Sequence, residues 1–415
     1  MYLDEIYVKI YSHMSIIRDI TIKAQRYLED DDILLFIGAR QAGKTTILRQ
    51  LAAHIEQKGE TANFLNLEDP DYRYLLNQSP KNLFKIYTLD VKKRNFIFID
   101  EVQYLNDPSN FLKYMYDEYR GKIKLLVSGS SAFYIDKKFR DSLVGRKRLF
   151  HVKTLSFREF LRFKNEKDLS QKDFQNISVS DEERLTIYFY EYMTFGGYPR
   201  VVLSPVNEKM DMLSEIAYSY IKKDIYEASI RQDEVFFKLF KILSSQTGNL
   251  VNSSELAHIL RVSKTAIDNY LYVMQKSFHI ALVKPFYRNI RKELTKMPKV
   301  YFLDTGLRNF FVSNFRSFEL RDDKGALLEN VVFRQLLERY AFDEICFWRT
   351  TQGHEVDFVV AEKEVFEVKV NRAGFKKGNY EVFFRNYPEI IFNVVSMDTG
   401  GQDMDKIRFS TPWQL

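Results

Sequence analysis

The sequence predicts an α/β fold whose first domain contains a parallel β-sheet. Two observations support this prediction: a glycine-rich loop between an apolar run and a helical pattern at residues 33–53, and a second apolar run that ends in two acids at residues 95–101. A third observation, two charged strand-like segments within residues 354–370, predicts a further α/β region near the end of the chain.

Residues 38–45 read G-x-x-x-x-G-K-T, which is the pattern of a phosphate-binding loop. Glycines let backbone N–H groups point at phosphate oxygens, and the following helix N-terminus adds partial positive charge. We expect Lys44 to reach the β- and γ-phosphates and the Thr45 hydroxyl to ligate Mg²⁺. The alternative is a glycine-rich turn. The predicted nucleotide contacts are Gly38, Ala39, Arg40, Gln41, Ala42, Gly43, Lys44, Thr45 and Thr46.

The composition is that of a globular protein large enough for two or three domains, with 415 residues of which 45% are hydrophobic. The net charge of +6 permits a nucleic-acid partner but does not require one. The single cysteine, Cys346, suits a reducing compartment. No apolar run approaches the roughly 20 residues of a membrane span, and the N-terminus has no signal pattern, so we expect a cytoplasmic protein without a membrane partner.

Residues 1–30 resemble a helical lead-in to the nucleotide-binding core. Within that core, the buried strand predicted at residues 95–99 is followed by Asp100 and Glu101. Because the carboxyl ends of parallel strands face the nucleotide, we expect Asp100 to hold Mg²⁺ and Glu101 to polarise the attacking water. The alternative is a strand that leaves the sheet into a polar loop.

The next predicted strand, residues 123–127, ends in small polar residues. Ser128 or Ser130 is expected to contact the γ-phosphate or the attacking water, unless these serines only cap a helix. Arg146 precedes the last core strand and is expected to reach the nucleotide of a neighbouring subunit, since guanidinium groups pair with phosphates through two hydrogen bonds. The alternative for Arg146 is a solvated basic turn.

These segments together resemble the AAA+ ATPase class, and in particular a bacterial and archaeal family of uncharacterised AAA+ ATPases with a family-specific C-terminal half. The resemblance is carried by residues 38–45, 98–101, 128–131 and 143–146, and residues 155–161 and 195–200 also fit. It implies a core over residues 31–165, ATP and Mg²⁺ as ligands, and a homo-oligomer. A second sensor arginine, which many members of the class carry in the helical region, is not evident here.

Residues 166–235 are expected to form a helical lid or connector that begins with a polar loop at 166–180. Residues 236–315 show helix, tight turn, helix and two strand-like segments, the pattern of a winged helix. We expect Lys264, Thr265 and Asn269 to face the bases of double-stranded DNA, and Arg288 and Arg291 to contact its phosphates. The alternative is a module for protein interaction or packing.

Residues 316–415 are expected to form the last α/β domain. The strand at residues 365–370 places Glu367 and Lys369 on one face, and Asp357 lies on the preceding strand. With Glu329 from an upstream helix, these acids are expected to bind Mg²⁺, while Lys369 orients water or stabilises charge on a phosphate. The set resembles the D-(spacer)-E-x-K signature of the restriction-endonuclease-like superfamily. The alternatives are a surface hairpin with salt bridges, or a nuclease-like fold that cuts nothing.

The resulting leading hypothesis is a Mg²⁺-dependent AAA+ ATPase that couples ATP binding and hydrolysis to DNA binding or processing by its C-terminal half. In this hypothesis Lys44, Glu101, Ser128 and Arg146 are the catalytic residues. The alternative is a nucleotide-controlled signalling or scaffold switch whose C-terminal half binds protein and has no nuclease activity.

Overall fold

The computed structural model describes residues 16–90, 92–129, 143–286, 297–398, 403–404 and 406–415. The chain divides into two compact units. Unit 1 contains Met1–Thr154 and Lys276–Phe278, and unit 2 contains Leu155–Gln275 and His279–Leu415.

The described part of unit 1 is a five-stranded parallel sheet with helices, in the strand order β2-β3-β4-β1-β5. Its strands are β1 (Ile33–Gly38), β2 (Ala62–Asn66), β3 (Asn95–Asp100), β4 (Ile123–Gly129) and β5 (Lys147–Val152). Its helices are α1 (Asp19–Gln25), α2 (Lys44–Gln57), α3 (Pro70–Gln78), α4 (Leu83–Ile86) and α5 (Pro108–Glu118). The predicted parallel-sheet P-loop domain is confirmed.

Strand β1 pairs with β4 and β5 at its two edges and is buried along its whole length. This explains its continuous apolar sequence, which is typical of a parallel strand covered on both faces. The described end of the predicted N-terminal lead-in is α1, whereas residues 1–15 lie outside the described residues. Arg18, just before α1, donates hydrogen bonds to the carbonyl oxygens of Ala42 (2.9 Å) and Lys153 (3.0 Å). The lead-in is thereby tied to the glycine-rich loop.

Unit 2 combines a helical region with a mixed sheet, which has seven strands among the described residues in the order β12-β11-β10-β9-β8-β6-β7. The helices are α6 (Phe157–Phe163), α7 (Lys167–Gln171), α8 (Val179–Phe195), α9 (Pro199–Leu203), α10 (Lys209–Glu215), α11 (Ile221–Glu227), α12 (Asp233–Ser245), α13 (Ser253–Leu260), α14 (Lys264–Lys276), α15 (Thr305–Val312), α16 (Lys324–Arg339) and α17 (Glu381–Asn386). The strands are β6 (Ile280–Pro285), β7 (Lys299–Phe302), β8 (Ile345–Arg349), β9 (Glu355–Val360), β10 (Glu364–Lys369), β11 (Ile391–Ser396) and β12 (Ile407–Ser410).

The sheet of unit 2 contains both parallel and antiparallel strand pairs. β6 pairs antiparallel with β7 and parallel with β8, so the predicted wing hairpin is continuous with the C-terminal sheet. β8, β9 and β10 form an antiparallel meander, and β11 and β12 continue it in parallel. Helix α16 precedes the meander and α17 lies between β10 and β11 in the chain, which gives the order helix, three antiparallel strands, helix, parallel strand.

The polar loop predicted at residues 166–180 is wrong in part, because the stretch contains helix α7 and the first turn of α8. Leu169 is fully buried in the hydrophobic core of unit 2. A single buried leucine among polar residues anchors α7, and this long-range contact has no counterpart in the local periodicity.

The break between α8 and α9 is held by Asp304. One oxygen of the Asp304 carboxylate accepts a hydrogen bond from the Gly197 amide (2.8 Å), and the other accepts one from the Leu307 amide in α15 (3.1 Å). Gly196 has φ +75° and ψ −164°, a conformation that essentially only glycine adopts. A Cβ atom on Gly196 would lie 2.1 Å from Asp304 Oδ1. The 195–200 motif therefore has a packing role.

We expect Gly196→Ala to lower the free energy of unfolding by about 2 kcal/mol or more, because it adds backbone strain and a steric clash. The matched control is Gly325→Ala in α16, where a Cβ meets nothing within 4 Å. Alanine favours helices, so the control is expected to match or slightly exceed the wild-type stability. The urea midpoints of the three proteins test this, and equal midpoints for the two variants would contradict it.

Candidate functional site

The glycine-rich loop connects the end of β1 to the start of α2. A Cβ on Gly38 would lie 2.0 Å from the Val152 carbonyl oxygen, so this position has room only for glycine. Gly43 has φ +99° and Gln41 has φ +60°, which turns the chain sharply before the helix begins. The close packing and the turn place the loop amides at the N-terminus of α2, where the helix dipole favours an anion.

Lys44 is the first residue of α2 and is only 4% exposed. Its ammonium donates hydrogen bonds to the carbonyl oxygens of Gly38 (3.0 Å) and Ala39 (2.9 Å). These carbonyl oxygens hold the ammonium against the loop, and its charge also acts on the nearby Asp100 carboxyl. The loop therefore presents a positive centre suited to phosphate oxygens.

Asp100 ends β3 and is hydrogen-bonded to the side chains of Thr45 and Ser128. Burial raises the pKa of the Asp100 carboxyl, and the two hydroxyl contacts act in the opposite direction. Mg²⁺ usually takes one or two protein ligands and completes its shell with waters and substrate phosphates. The adjacent Thr45 hydroxyl and Asp100 carboxylate fit such a nucleotide-bound ion.

Glu101 follows with a left-handed backbone (φ +58°), and its amide donates a hydrogen bond to the Ser128 hydroxyl oxygen at 3.0 Å. Its carboxylate accepts a hydrogen bond from the Gln103 side-chain amide. Ser128 is fully buried and fixes both acids, so its direct contact with a γ-phosphate stays a prediction. Ser130 lies outside the described residues. Gln103 was not identified from the sequence, where no pattern marks it.

Arg146 lies immediately before β5 and forms a two-point ion pair with Asp117, with Nε–Oδ1 at 2.7 Å and Nη2–Oδ2 at 3.2 Å. The guanidinium holds the pKa of the Asp117 carboxyl below its usual value. The Ile33 amide donates to the Arg146 carbonyl oxygen, whereas Gly38 lies opposite Val152. Arg146 is therefore at the end of the β1–β5 pair opposite the loop, about 17 Å away for five strand residues.

In unit 2, helices α13 and α14 are joined by a tight turn at residues 261–263. Lys264, Thr265 and Asn269 are exposed on α14, and Lys264 also lies 3.9 Å from Asp268. Arg288 and Arg291 lie outside the described residues. The three predicted base-facing side chains are therefore exposed on the same helix, and their role stays a prediction.

The four acidic-site residues predicted in the C-terminal region come together in unit 2. The Asp357 carboxylate accepts a hydrogen bond from the Val368 amide (2.8 Å), and the Asp357 amide donates one to Glu367 (3.3 Å). Glu367 also contacts the Lys369 ammonium and accepts a hydrogen bond from the Tyr380 hydroxyl (2.7 Å). Burial, followed by the Asp357 charge, raises the pKa of Glu367 to about 8, and Lys369 opposes this shift.

Glu329 reaches the same group from α16 but contacts different partners, the Lys299 ammonium at 3.1 Å and the Tyr301 hydroxyl. Burial and then the Asp357 charge raise the pKa of Glu329 to about 7. Lys299 also lies 2.6 Å from Glu355. Sequence reasoning did not identify Lys299, Tyr301, Glu355 or Tyr380; alternation along β9 offered a signal only for Glu355, which shares a face with Asp357.

Three family models match successive parts of the chain. Residues 30–161 match an AAA domain, residues 186–317 a domain of unknown function (DUF8612), and residues 324–386 a domain of unknown function (DUF4143). The first match covers the sheet, the loop and the acids of unit 1. Unit 1 has an AAA-type P-loop fold.

The chain is also similar to two uncharacterised proteins over most of its length. One, from Methanocaldococcus jannaschii, is 29% identical over 85% of this chain and 76% of that protein. The other, from Haemophilus influenzae, is 26% identical over 83% of this chain and 84% of that protein. Among solved structures, the Thermotoga maritima RuvB Holliday junction branch migration motor matches 65% of this chain and 90% of its own, with 16% identity and a TM-score of 0.34. A score of this size carries no inference about function.

No helix among the described residues combines the length and the apolar character needed to span a membrane.

We expect Lys44→Ala to weaken nucleotide binding by about a hundredfold, because charge-assisted hydrogen bonds to phosphate are lost. The matched control is Lys58→Ala, which removes an exposed lysine just after α2 and is expected to bind as the wild type does. Titration with a fluorescent ATP analogue measures both variants. Unchanged affinity in Lys44→Ala would show that the nucleotide binds elsewhere.

Proposed function

We propose that this protein is a Mg²⁺-dependent ATPase that couples ATP binding and hydrolysis in unit 1 to DNA binding or processing by its C-terminal half. The observation that supports the proposal is the arrangement of the loop: Lys44 donates hydrogen bonds to the loop carbonyls of Gly38 and Ala39 at the start of α2, and Asp100 is hydrogen-bonded to Thr45. ATP rather than another nucleotide rests on the match to the AAA domain.

In this proposal each residue of unit 1 has a separate task. The loop amides and Lys44 bind the phosphates. Thr45 and Asp100 would hold Mg²⁺, which would neutralise negative charge on the nucleotide. Glu101 accepts a proton from the attacking water after Gln103 releases its carboxylate, and Ser128 keeps the two acids in register.

Arg146 acts on a neighbouring subunit in this proposal. Its place at the opposite end of the β1–β5 pair, about 17 Å from the loop, is too far for contact with the phosphates of its own subunit. A homo-oligomer that joins the loop end of one subunit to the Arg146 end of the next supplies the missing cation. The Asp117 partner is exposed enough to be exchanged for phosphate on assembly.

The DNA part of the proposal rests on α14 and on the acidic group. The exposed Lys264, Thr265 and Asn269 suit a helix that enters the major groove. The order helix, three antiparallel strands, helix, parallel strand places Asp357, Glu367 and Lys369 together, as the D-(spacer)-E-x-K resemblance requires. This acidic group is the candidate site of DNA processing.

A second function is favoured by one specific observation, namely that the acids of this group already contact lysines of the same chain. In that case the protein is a nucleotide-controlled switch whose C-terminal half binds protein. Metal-dependent cutting that is lost in Asp357→Ala and Lys369→Ala would exclude this second function.

We expect Glu101→Gln to reduce ATP hydrolysis by about 10²–10⁴-fold while ATP binding is retained, because only the proton acceptor is lost. The trapped ATP state then allows a binding test with random duplex DNA. Its affinity with Mg²⁺ and ATP should differ from that without nucleotide by about fivefold or more, and should fall as salt rises. Wild-type hydrolysis in the variant would refute the assigned base, and absence of salt-dependent DNA binding would favour the switch.

We expect Lys44→Ala and Arg146→Ala each to be inactive alone and to regain hydrolysis when mixed. In an equal mixture that assembles at random into symmetric rings, about a quarter of the interfaces combine an intact loop from one variant with an intact Arg146 from the other. Steady-state ATPase assays of the two variants and their mixture, with wild-type protein as the reference, test this. A mixture that stays inactive although the subunits exchange would show that Arg146 does not act across the interface.

A further inference from the structure

One buried ammonium lies where three carboxylates of unit 2 meet. Lys299 on β7 is 2% exposed, and its Nζ atom lies 2.6 Å from Glu355 Oε1, 3.1 Å from Glu329 Oε1 and 3.9 Å from Asp357 Oδ1. The acids come from two elements, α16 and β9. We call Lys299 with these three acids the Lys299 cluster.

The geometry of the Lys299 cluster is that of a cation surrounded by oxygen ligands. A lysine ammonium has three donors and no acceptor. Glu355 and Glu329 lie within hydrogen-bond distance of Nζ, and Asp357 adds a longer ion pair. A divalent cation bound at the same place would need the same oxygens. Because two cations cannot share this position, Lys299 and a metal ion compete for it.

Two further side chains contact the acids of the cluster. The Tyr301 hydroxyl donates to Glu329, and Arg349 Nη1 lies 3.1 Å from Glu355 Oε2. In the described residues no group of three acid, histidine or cysteine side chains is arranged to hold a metal ion. The arrangement therefore disagrees with the Mg²⁺ site that the acidic sequence pattern predicts.

We propose that Lys299 is a built-in counter-ion that excludes a divalent cation from Glu329, Glu355 and Asp357, so that metal enters this position only when Lys299 leaves it. The inference rests on the proposed function only in taking the acidic group as the candidate site of DNA processing. It explains how such a site is kept inactive without losing any of its acids.

The strand that carries Lys299 connects to the candidate DNA-binding helices. β7 is hydrogen-bonded along residues 298–300 to the segment that precedes α13: the Gly248 amide donates to the Val300 carbonyl (2.9 Å) and the Val251 amide to the Pro298 carbonyl (2.8 Å). The same segment passes close to Glu329 at Gly248. A Cβ atom at this position would lie 3.1 Å from Glu329 Oε2, so a larger residue would crowd the carboxylate. The segment that leads into α13 is therefore bound directly to the strand that carries Lys299.

The test is the effect of Mn²⁺, added alone, on the thermal unfolding of the full chain. We expect Lys299→Met to unfold at a lower temperature than the wild type in EDTA, because the three acids lose their cation. Mn²⁺ should raise its midpoint by at least about 3 °C more than it raises the wild-type midpoint. Lys299→Arg keeps a cation, and Lys284→Met removes an exposed lysine from β6, so both should respond as the wild type does.

An equal response to Mn²⁺ in Lys299→Met and the wild type would overturn the proposal. So would an extra response that persists in Lys299→Met combined with Asp357→Asn. If Lys299→Met does not fold, the double variant Lys299→Met with Glu329→Gln is the test. It should give more soluble protein than the single variant, because one unpaired acid has been removed. An equal or smaller yield would refute the proposal that Lys299 is a counter-ion. None of these measurements involves ATP, DNA or cutting, so they stand apart from a failure of the proposed function.

Discussion

The close approach of Gly38 to the Val152 carbonyl is the constraint on which the first unit depends. It brings β5 against the end of β1, so that the loop must turn at this point and α2 begins with Lys44. The same strand pairing fixes Arg146 at the opposite end of the sheet. The Arg18 side chain bonds to both sides of this contact through Ala42 and Lys153. Parallel pairing thus sets the loop and the arginine at once, without any contact between them.

Two buried lysines show how the same charge serves opposite purposes. In the proposed function Lys44 binds phosphate, and its ammonium donates hydrogen bonds to the carbonyl oxygens of its own loop. Lys299 already faces three carboxylates, so a second cation must displace it. Removing the partners of either lysine would cost free energy, because a buried ammonium in a low-dielectric site requires partners of matching charge and geometry.

Some of these elements can be predicted from the sequence, whereas the contacts between distant residues cannot. The loop, β3 with its two acids, and the meander with Asp357 and Glu367 were predictable because strand alternation, apolar runs and glycine placement are local. The pairing of β6 with β8 joins residues about sixty positions apart, and no periodicity indicates it. Lys299, Gln103 and Tyr380 acquire their contacts only through such tertiary proximity. For α7, one long-range contact of Leu169 outweighs a polar local sequence.

The bond between β7 and the segment before α13 has a thermodynamic consequence of its own. If a ligand of α13 and α14 and a cation at the Lys299 cluster both displace β7, the two binding events are coupled through these hydrogen bonds. Linkage then requires reciprocity: the factor by which the ligand changes cation affinity equals the factor by which the cation changes ligand affinity. The Mn²⁺ affinity of the Lys299 cluster would then report whether a partner has bound to the helix pair, whatever the chemistry of that partner.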